Sequence, residues 1–407
     1  MHLNKLHLNK KRSLETLSLI CWAVAVFAYF FQFPFPFLSF LIVPCIAGYM
    51  LLQFPNFYLP KNKKYLVLFM LFILYVGFSV IRALILGNSI NKIFRFSAIT
   101  LLLPVSCLVQ DSKFSVKWKL FLNFAMLKAL ILIGIMVWLL IKGDYTELRG
   151  WAYRNNLGDI YLLSRWNPKV QVHGNSLLVV AFITDFMQKK RLSLYNTILL
   201  VGVLAAGNFA YILGLGLFLG WRGCLWGHKL LKAGKISKKA VIAIAVCCII
   251  IATPYLISKI QQKAAVSNKT RIEQTVVLTD TNPLIGKGFG NHIKADTSTR
   301  IYDGDIYFEL QTLYIYNQIG AIGVLFVYLL TIWPVYKKGR QRAILYIIYL
   351  IFTFWNPYCW DTTHLITLLL LINTKRLGVT NETGDYYNVL SIYRSEIKHF
   401  RNLRTSR

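Results

Sequence analysis

The residues best suited to chemistry stand in two stretches of the chain. Arg149, Arg154, Arg165 and Lys169 lie in the first, residues 143–173. The second, 259–311, holds Lys269, Arg271, Lys287, Lys294 and Arg300 among Glu273, Asp280, Asp296, Asp303, Asp305 and Glu309. A guanidinium group grips a phosphate or diphosphate through two parallel hydrogen bonds, so arginines from separate segments suit a ligand of that kind. A carboxylate or imidazole within reach of a hydroxyl can take its proton, and Glu309, His292 and His364 are of the right type. The bland alternative is solvated loop charge, with Glu309 the ion-pair partner of a nearby lysine or arginine.

Between Arg271 and Glu309 runs Asn282-Pro283-Leu284-Ile285-Gly286-Lys287-Gly288-Phe289-Gly290. Its glycines permit a tight turn and close backbone approach. The Gly-Lys-Ser/Thr of a nucleotide-binding loop is missing, so alone this is a turn signal. Trp151, Tyr153, Tyr161, Trp166, Tyr302, Tyr307 and Tyr314 could stack on sugar faces, or anchor the chain at a membrane interface. His173, His292 and His364 share no ligand spacing, so no metal site and no cofactor are expected. The seven cysteines offer no disulfide pair on one face.

These residues must be positioned by an apolar scaffold. Of 407 residues, 56% are hydrophobic and 15% charged, with a mean hydropathy of +0.51; a soluble chain carries roughly 25% charged residues. The hydrophobic runs predict spans at 15–33, 35–55, 65–86, 95–109, 119–141, 174–188, 194–206, 208–221, 240–258, 312–335, 343–356 and 361–373. The expected fold is all-α: a polytopic membrane domain covering 1–407, with about twelve helices. Spans seven and eight could instead be one helix broken at Gly207 and Asn208, and ten or eleven spans are alternatives. The first apolar run has a basic flank but no small-residue cleavage site, so it reads as a helix and not as a leader. Two loops are large enough to carry a site, 143–173 and 259–311.

Charge orients this scaffold. Lys61-Asn62-Lys63-Lys64, Lys189-Lys190-Arg191 and Lys337-Lys338-Gly339-Arg340-Gln341-Arg342 all fall on one side of the predicted membrane, which marks that side as cytoplasmic. Both termini are expected there, and the two long loops outside. The formal net charge of +30 is then a topology signal and an attraction to anionic lipid, with no case for nucleic acid. Val389, Tyr393, Ile397 and Phe400 share a helical face in the basic tail, 375–407, which suits either a helix lying on the inner leaflet or a frayed basic tail. Lys128 and Asp185 are charges within spans: Asp185 is expected to pair with Lys189, and Lys128 to snorkel outward or hold a lipid phosphate.

Thr270-Arg271-Ile272-Glu273, the Asn282–Gly290 segment and Gln318-Ile319-Gly320-Ala321-Ile322-Gly323 together resemble the O-antigen polymerases and O-antigen ligases of bacterial surface-polysaccharide assembly. That family has a serine–arginine element opening its large outer loop, an NPLxGxGxG segment, and a GxxG at the next helix. The match spans residues 270–323. The late segment Asn356-Pro357-Tyr358 to Asp361-Thr362-Thr363-His364 is similar to repeat-unit polymerases.

The resemblance implies a metal-independent glycosyltransferase of the outer face of the inner membrane. Its partners would be undecaprenyl-diphosphate-linked oligosaccharide, membrane lipids, a chain-length regulator and a flippase. Arginines from two outer loops hold the diphosphate in that family; Arg271 matches the second by position, and Arg165 is the best match for the first. Arg149, Arg154, Lys169, His173, Lys287, His292, Arg300, Tyr314 and His364 are the expected substrate-binding residues. Ligases and many polymerases carry a histidine eleven residues before the glycine of the last motif, whereas this chain has Glu309 there, counting back from Gly320. That favours a polymerase over a ligase and makes Glu309 a third catalytic candidate.

A lipid-linked oligosaccharide flippase or other carrier is the rival from another class. Carriers are built from internal repeats, and no second copy of the Arg271–Gly290 pattern occurs in the N-terminal half. A structural membrane subunit is the third reading, and it leaves the loop arginines without a purpose.

Overall fold

The computed structural model describes residues 2–60, 62–162, 168–189, 191–234, 237, 240, 269–298, 301–304, 308–354, 356–374, 377 and 386–388. They are mostly helical. In chain order come α1 (His2–Phe31), α2 (Ser39–Leu52), α3 (Lys63–Ile85), α4 (Ile90–Ser106), α5 (Phe114–Lys142), α6 (Thr146–Arg154) and α7 (Ser176–Lys189). After these follow α8 (Leu194–Ala206), α9 (Phe209–Lys232), α10 (Lys269–Thr279), α11 (Gln311–Lys337), α12 (Arg340–Thr353) and α13 (Thr362–Asn373). Three antiparallel two-stranded ladders join β1 (Tyr58–Pro60) to β6 (Tyr386–Asn388), β2 (Gly158–Leu162) to β3 (Pro168–Val172), and β4 (Lys294–Asp296) to β5 (Ile301–Asp303).

Among the described residues, five helices are long and apolar enough to cross a membrane: Ser13–Phe31, Lys63–Ile85, Phe114–Lys142, Phe209–Lys232 and Gln311–Lys337. Several of the other predicted spans are helices about as short as the apolar runs that predicted them. The 12 residues of α13 rise only about 18 Å at 1.5 Å per residue, well short of a bilayer core of about 30 Å. Eleven of those residues are buried, so α13 is covered by the rest of the bundle. Spans seven and eight are separate helices: α8 ends at Ala206, Gly207 turns left-handed at φ 63°, and the Asn208 side chain accepts the Ala210 N–H at 2.9 Å to cap α9. The expected span 240–258 and the basic face around Val389 to Phe400 lie outside the described residues.

Polar clasps mark the two ends of the bundle. At one end Lys117 Nζ meets Asp111 Oδ2 at 2.7 Å with both side chains almost wholly buried, Tyr49 Oη donates to the same carboxylate oxygen, and the Asp111 N–H reaches Asn373 Oδ1. Arg342 at the start of α12 donates to the Leu371 and Ile372 carbonyls that close α13. Asp185 pairs with Lys189 at 3.0 Å and accepts from Asn196. The opposite end carries α6, β2, β3, α10 and the β4–β5 pair, with Arg149, Arg271 and Glu309 among the residues on it.

Candidate functional site

The glycine segment and the start of α11 are built into one another. Lys287 and Gly288 donate their N–H groups to the Asn317 and Gln318 carbonyls, each at 2.8 Å, and Ala321 and Ile322 donate back to Pro283 and Leu284 at 2.9 and 3.2 Å. This exchange requires α11 to break at Gly320, whose φ of 61° and ψ of −175° open the helix to the incoming strand. A Cβ at Gly320 would overlap the Leu284 carbonyl, and one at Gly286, φ 68°, the Gln318 carbonyl. Both positions therefore need glycine for conformation and for space.

The corner between α3 and α4 holds this assembly from the other side. The Arg82 guanidinium donates to the Ile285 and Gly286 carbonyls, Asn88 Nδ2 to those of Lys287 and Phe289, and Lys92 Nζ to that of Gly304. Arg82, Asn88 and Lys92 were not singled out in the sequence. The readable signal was a polar residue at or just past the outer edge of an apolar run, which is also where belt residues sit.

Arg271 and Glu309 meet. Helix α10 presents Arg271 and the segment before α11 presents Glu309, and Nε lies 3.0 Å from Oε2. Register between the helices is kept by Asn317 Nδ2, which donates to the Leu278 carbonyl at 3.0 Å. The side chains are 20% and 41% exposed, so the pair borders solvent. Such a pair contributes about 1 kcal/mol or less to stability, which leaves its guanidinium free to exchange partners at little cost.

Phe308, the neighbour of Glu309 in sequence, belongs to a buried aromatic stack. Tyr302, Phe308 and Tyr314 lie with centroids 5.1 and 4.9 Å apart in sequence, and Phe96 meets Tyr314 edge-on at 5.3 Å. Tyr314 is fully buried, so its ring packs the core and presents no face to a sugar. His364 is equally enclosed: Nδ1 lies 2.5 Å from the Cys359 carbonyl and Nε2 2.7 Å from Tyr346 Oη.

The remaining candidates spread over the same end. Arg149 forks onto Asp159, Nε to Oδ1 at 2.8 Å and Nη2 to Oδ2 at 3.2 Å, and that carboxylate raises the guanidinium pKa further. Arg154 is exposed at the end of α6. Lys169 on β3 lies against Gly207. His173 follows β3; the loop packed around its ring and the nearby Lys128 ammonium hold its imidazole below the ordinary pKa, although part of the side chain stays open to solvent. Lys128 does not snorkel: it is fully buried, with Nζ 3.1 Å from the His173 carbonyl and 3.4 Å from that of Phe33. Lys287 pairs with Asp280 and His292 with Asp303, both on exposed loops. Arg165, Trp166, Arg300, Asp305 and Tyr307 lie outside the described residues.

One polar network reaches from this end into the bundle. Gln311 holds Trp360, whose indole N–H donates to Thr100 Oγ1 at 3.0 Å. Asp361 caps α13, accepting the His364 N–H at 3.2 Å and the Thr363 hydroxyl at 2.8 Å. Thr363 Oγ1 is 2.9 Å from Tyr29 Oη, which is 2.6 Å from Ser176 Oγ. Tyr211 Oη donates to Tyr358 Oη at 3.1 Å alongside.

No family model, no curated protein and no solved structure matches this chain.

Proposed function

We propose that the chain is a glycosyltransferase that polymerises undecaprenyl-diphosphate-linked oligosaccharide repeat units at the outer face of a bacterial inner membrane. The observation that carries this reading is the meeting of Arg271 with Glu309 beside the seated glycine segment. Three separated sequence elements of the resemblance thereby occupy one neighbourhood. The finer topology belongs to the same proposal: about twelve crossings, both termini cytoplasmic, and the loops 143–173 and 259–311 outside.

The chemistry follows from the residue types. An anomeric carbon bonded to a diphosphate already carries a good leaving group. Arg271, joined by Arg165 from the first loop, spreads the charge that grows on the departing phosphates. Glu309 holds Arg271 through Nε and aims its terminal N–H groups at the diphosphate. A carboxylate or imidazole then takes the proton of the attacking sugar hydroxyl. A chain-length regulator and a flippase would be its partners. The carboxylate at position 309, in place of imidazole, favours a polymerase over a ligase.

The test is a strain lacking this chain, scored for its surface-polysaccharide ladder. A single repeat on the core with no longer bands supports the polymerase. Loss of every repeat from the core, with lipid-linked polymer accumulating, would identify a ligase. Repeat units trapped inside the cell would identify a flippase.

A further inference from the structure

We propose that Asp361 is the general base of this transfer, receiving the proton of the acceptor hydroxyl; the inference rests on the polymerase reading. The other candidates for the role are engaged. Glu309 holds Arg271. Both ring nitrogens of His364 are occupied and its side chain has no exposed surface. His292 is bound to Asp303 on an exposed hairpin.

Asp361 differs from these in three ways. As a residue it is only partly covered, unlike the fully enclosed His364, and it stands at the N-terminus of α13. Gln311 Oε1 accepts the Trp360 N–H at 2.8 Å, which ties the residue before Asp361 to the residue two places after Glu309. The carboxylate also ends a line of hydroxyls: Thr363 donates to it, and Tyr29 and Ser176 follow at 2.9 and 2.6 Å. That line links helices α1, α7 and α13. The exposed Arg95 guanidinium on α4 is close enough to act electrostatically on the carboxylate.

The step balances without a further reactant. The acceptor oxygen bonds to the anomeric carbon as the bond from that carbon to the phosphate oxygen breaks. The bonding pair leaves with undecaprenyl diphosphate, and the acceptor proton passes to Asp361. It then departs to water, while the Thr363, Tyr29 and Ser176 hydroxyls hold the carboxylate in place. The products are a glycan longer by one unit, undecaprenyl diphosphate and one proton.

A helix cap is the competing role for Asp361, and Asp361→Asn separates the two. Asparagine caps a helix as well as aspartate does but cannot accept a proton at neutral pH. In the strain lacking the native copy, full-length Asp361→Asn should accumulate in the membrane and melt as the wild type does, while repeat-unit addition falls on the order of hundredfold or more. Asp361→Glu should recover part of that rate. A wild-type ladder from Asp361→Asn overturns the proposal. So does failure of both Asp361→Asn and Asp361→Ser, another good cap, to accumulate folded, because the carboxylate is then needed for folding. If the wild-type chain itself restores no ladder, the polymerase reading is what has failed.

Discussion

Gln311 and Trp360 hold one another through side chain and backbone: Gln311 Oε1 accepts the Trp360 N–H at 2.8 Å and Nε2 faces the Trp360 carbonyl at 3.5 Å. With the Trp360 indole on Thr100, this clasp ties α4, α11 and the turn into α13 at the end that bears the candidate site. Gln311→Leu leaves a buried N–H and carbonyl without partners and should destabilise the chain by about 1–3 kcal/mol. Thermal unfolding in detergent reads this directly, and an unchanged melting temperature would show that the clasp is dispensable.

Arg271→Ala should reduce repeat-unit addition by on the order of 100-fold, or about 3 kcal/mol of transition-state stabilisation, by analogy with the loss of one oxyanion donor. Arg271→Lys should fall between, since lysine offers charge without the fork. Folding should barely change, because the Glu309 contact is partly solvated. Ladder length and membrane level, measured together, separate these effects, and full activity in Arg271→Ala removes Arg271 from the site. Arg165→Ala provides the same test for the first loop.

Gly320→Ala and Gly286→Ala should each be severely destabilising. Each places a side chain at positive φ, which costs about 1–3 kcal/mol, and each adds an overlap with a carbonyl oxygen across the interlock. Proteolysis of the 269–298 region in intact membranes is the sensitive measure, since loss of the interlock frees that segment first. Alanine at Gly216, around which a Cβ meets nothing within 4 Å, is the matched control and should be tolerated.

The Lys117–Asp111 pair gives a prediction at the opposite end. Removing one partner strands a buried charge and should cost about 3–5 kcal/mol, whereas Lys117→Met with Asp111→Asn should be milder than either alone. A double-mutant cycle on unfolding in mixed detergent checks the order of the three variants. Additive losses would contradict it.

His173 makes stability fall in mild acid. Its folded pKa is lowered by the loop packed around it and by Lys128. As pH drops through about 6.5, the unfolded chain binds a proton that the folded chain does not. Stability should therefore be complete above that pH and decline below it, and His173→Gln should flatten the decline. Melting temperatures from pH 8 to 5 measure it; parallel curves for the two proteins would refute it.

The scaffold was readable where one physical signal dominated. The long apolar runs that became α3, α5 and α11 stand out because lipid tolerates nothing else over that length. Helix α13 was read from the same signal as a short span that must be paired with neighbours, and eleven of its 12 residues are buried. Composition alone cannot distinguish a helix in lipid from one in a helical core. At the site, Arg271 and Glu309 were legible through motif spacing. An ion pair between Glu309 and a nearby lysine or arginine was the bland reading of the residue types, and it is what the structure holds; that the partner is Arg271 depends on how α10 lies along α11. Arg82, Asn88 and Gln311 went unread because each acts on backbone carbonyl or N–H groups far away in the chain, and main-chain partners leave no pattern in sequence.

Arg342 sits in the basic run by which the orientation of the chain is read, yet it is 2% exposed and its guanidinium closes the C-terminal carbonyls of α13. A cation suits the negative end of a helix dipole. A residue counted as a topology charge in the sequence is therefore a closing contact of the finished bundle. An experiment that neutralises the Lys337–Arg342 charges one at a time will see an anomaly at its last step. Arg342→Gln will report a packing defect where a flipped segment is being sought, so orientation is better probed through Lys337 and Arg340.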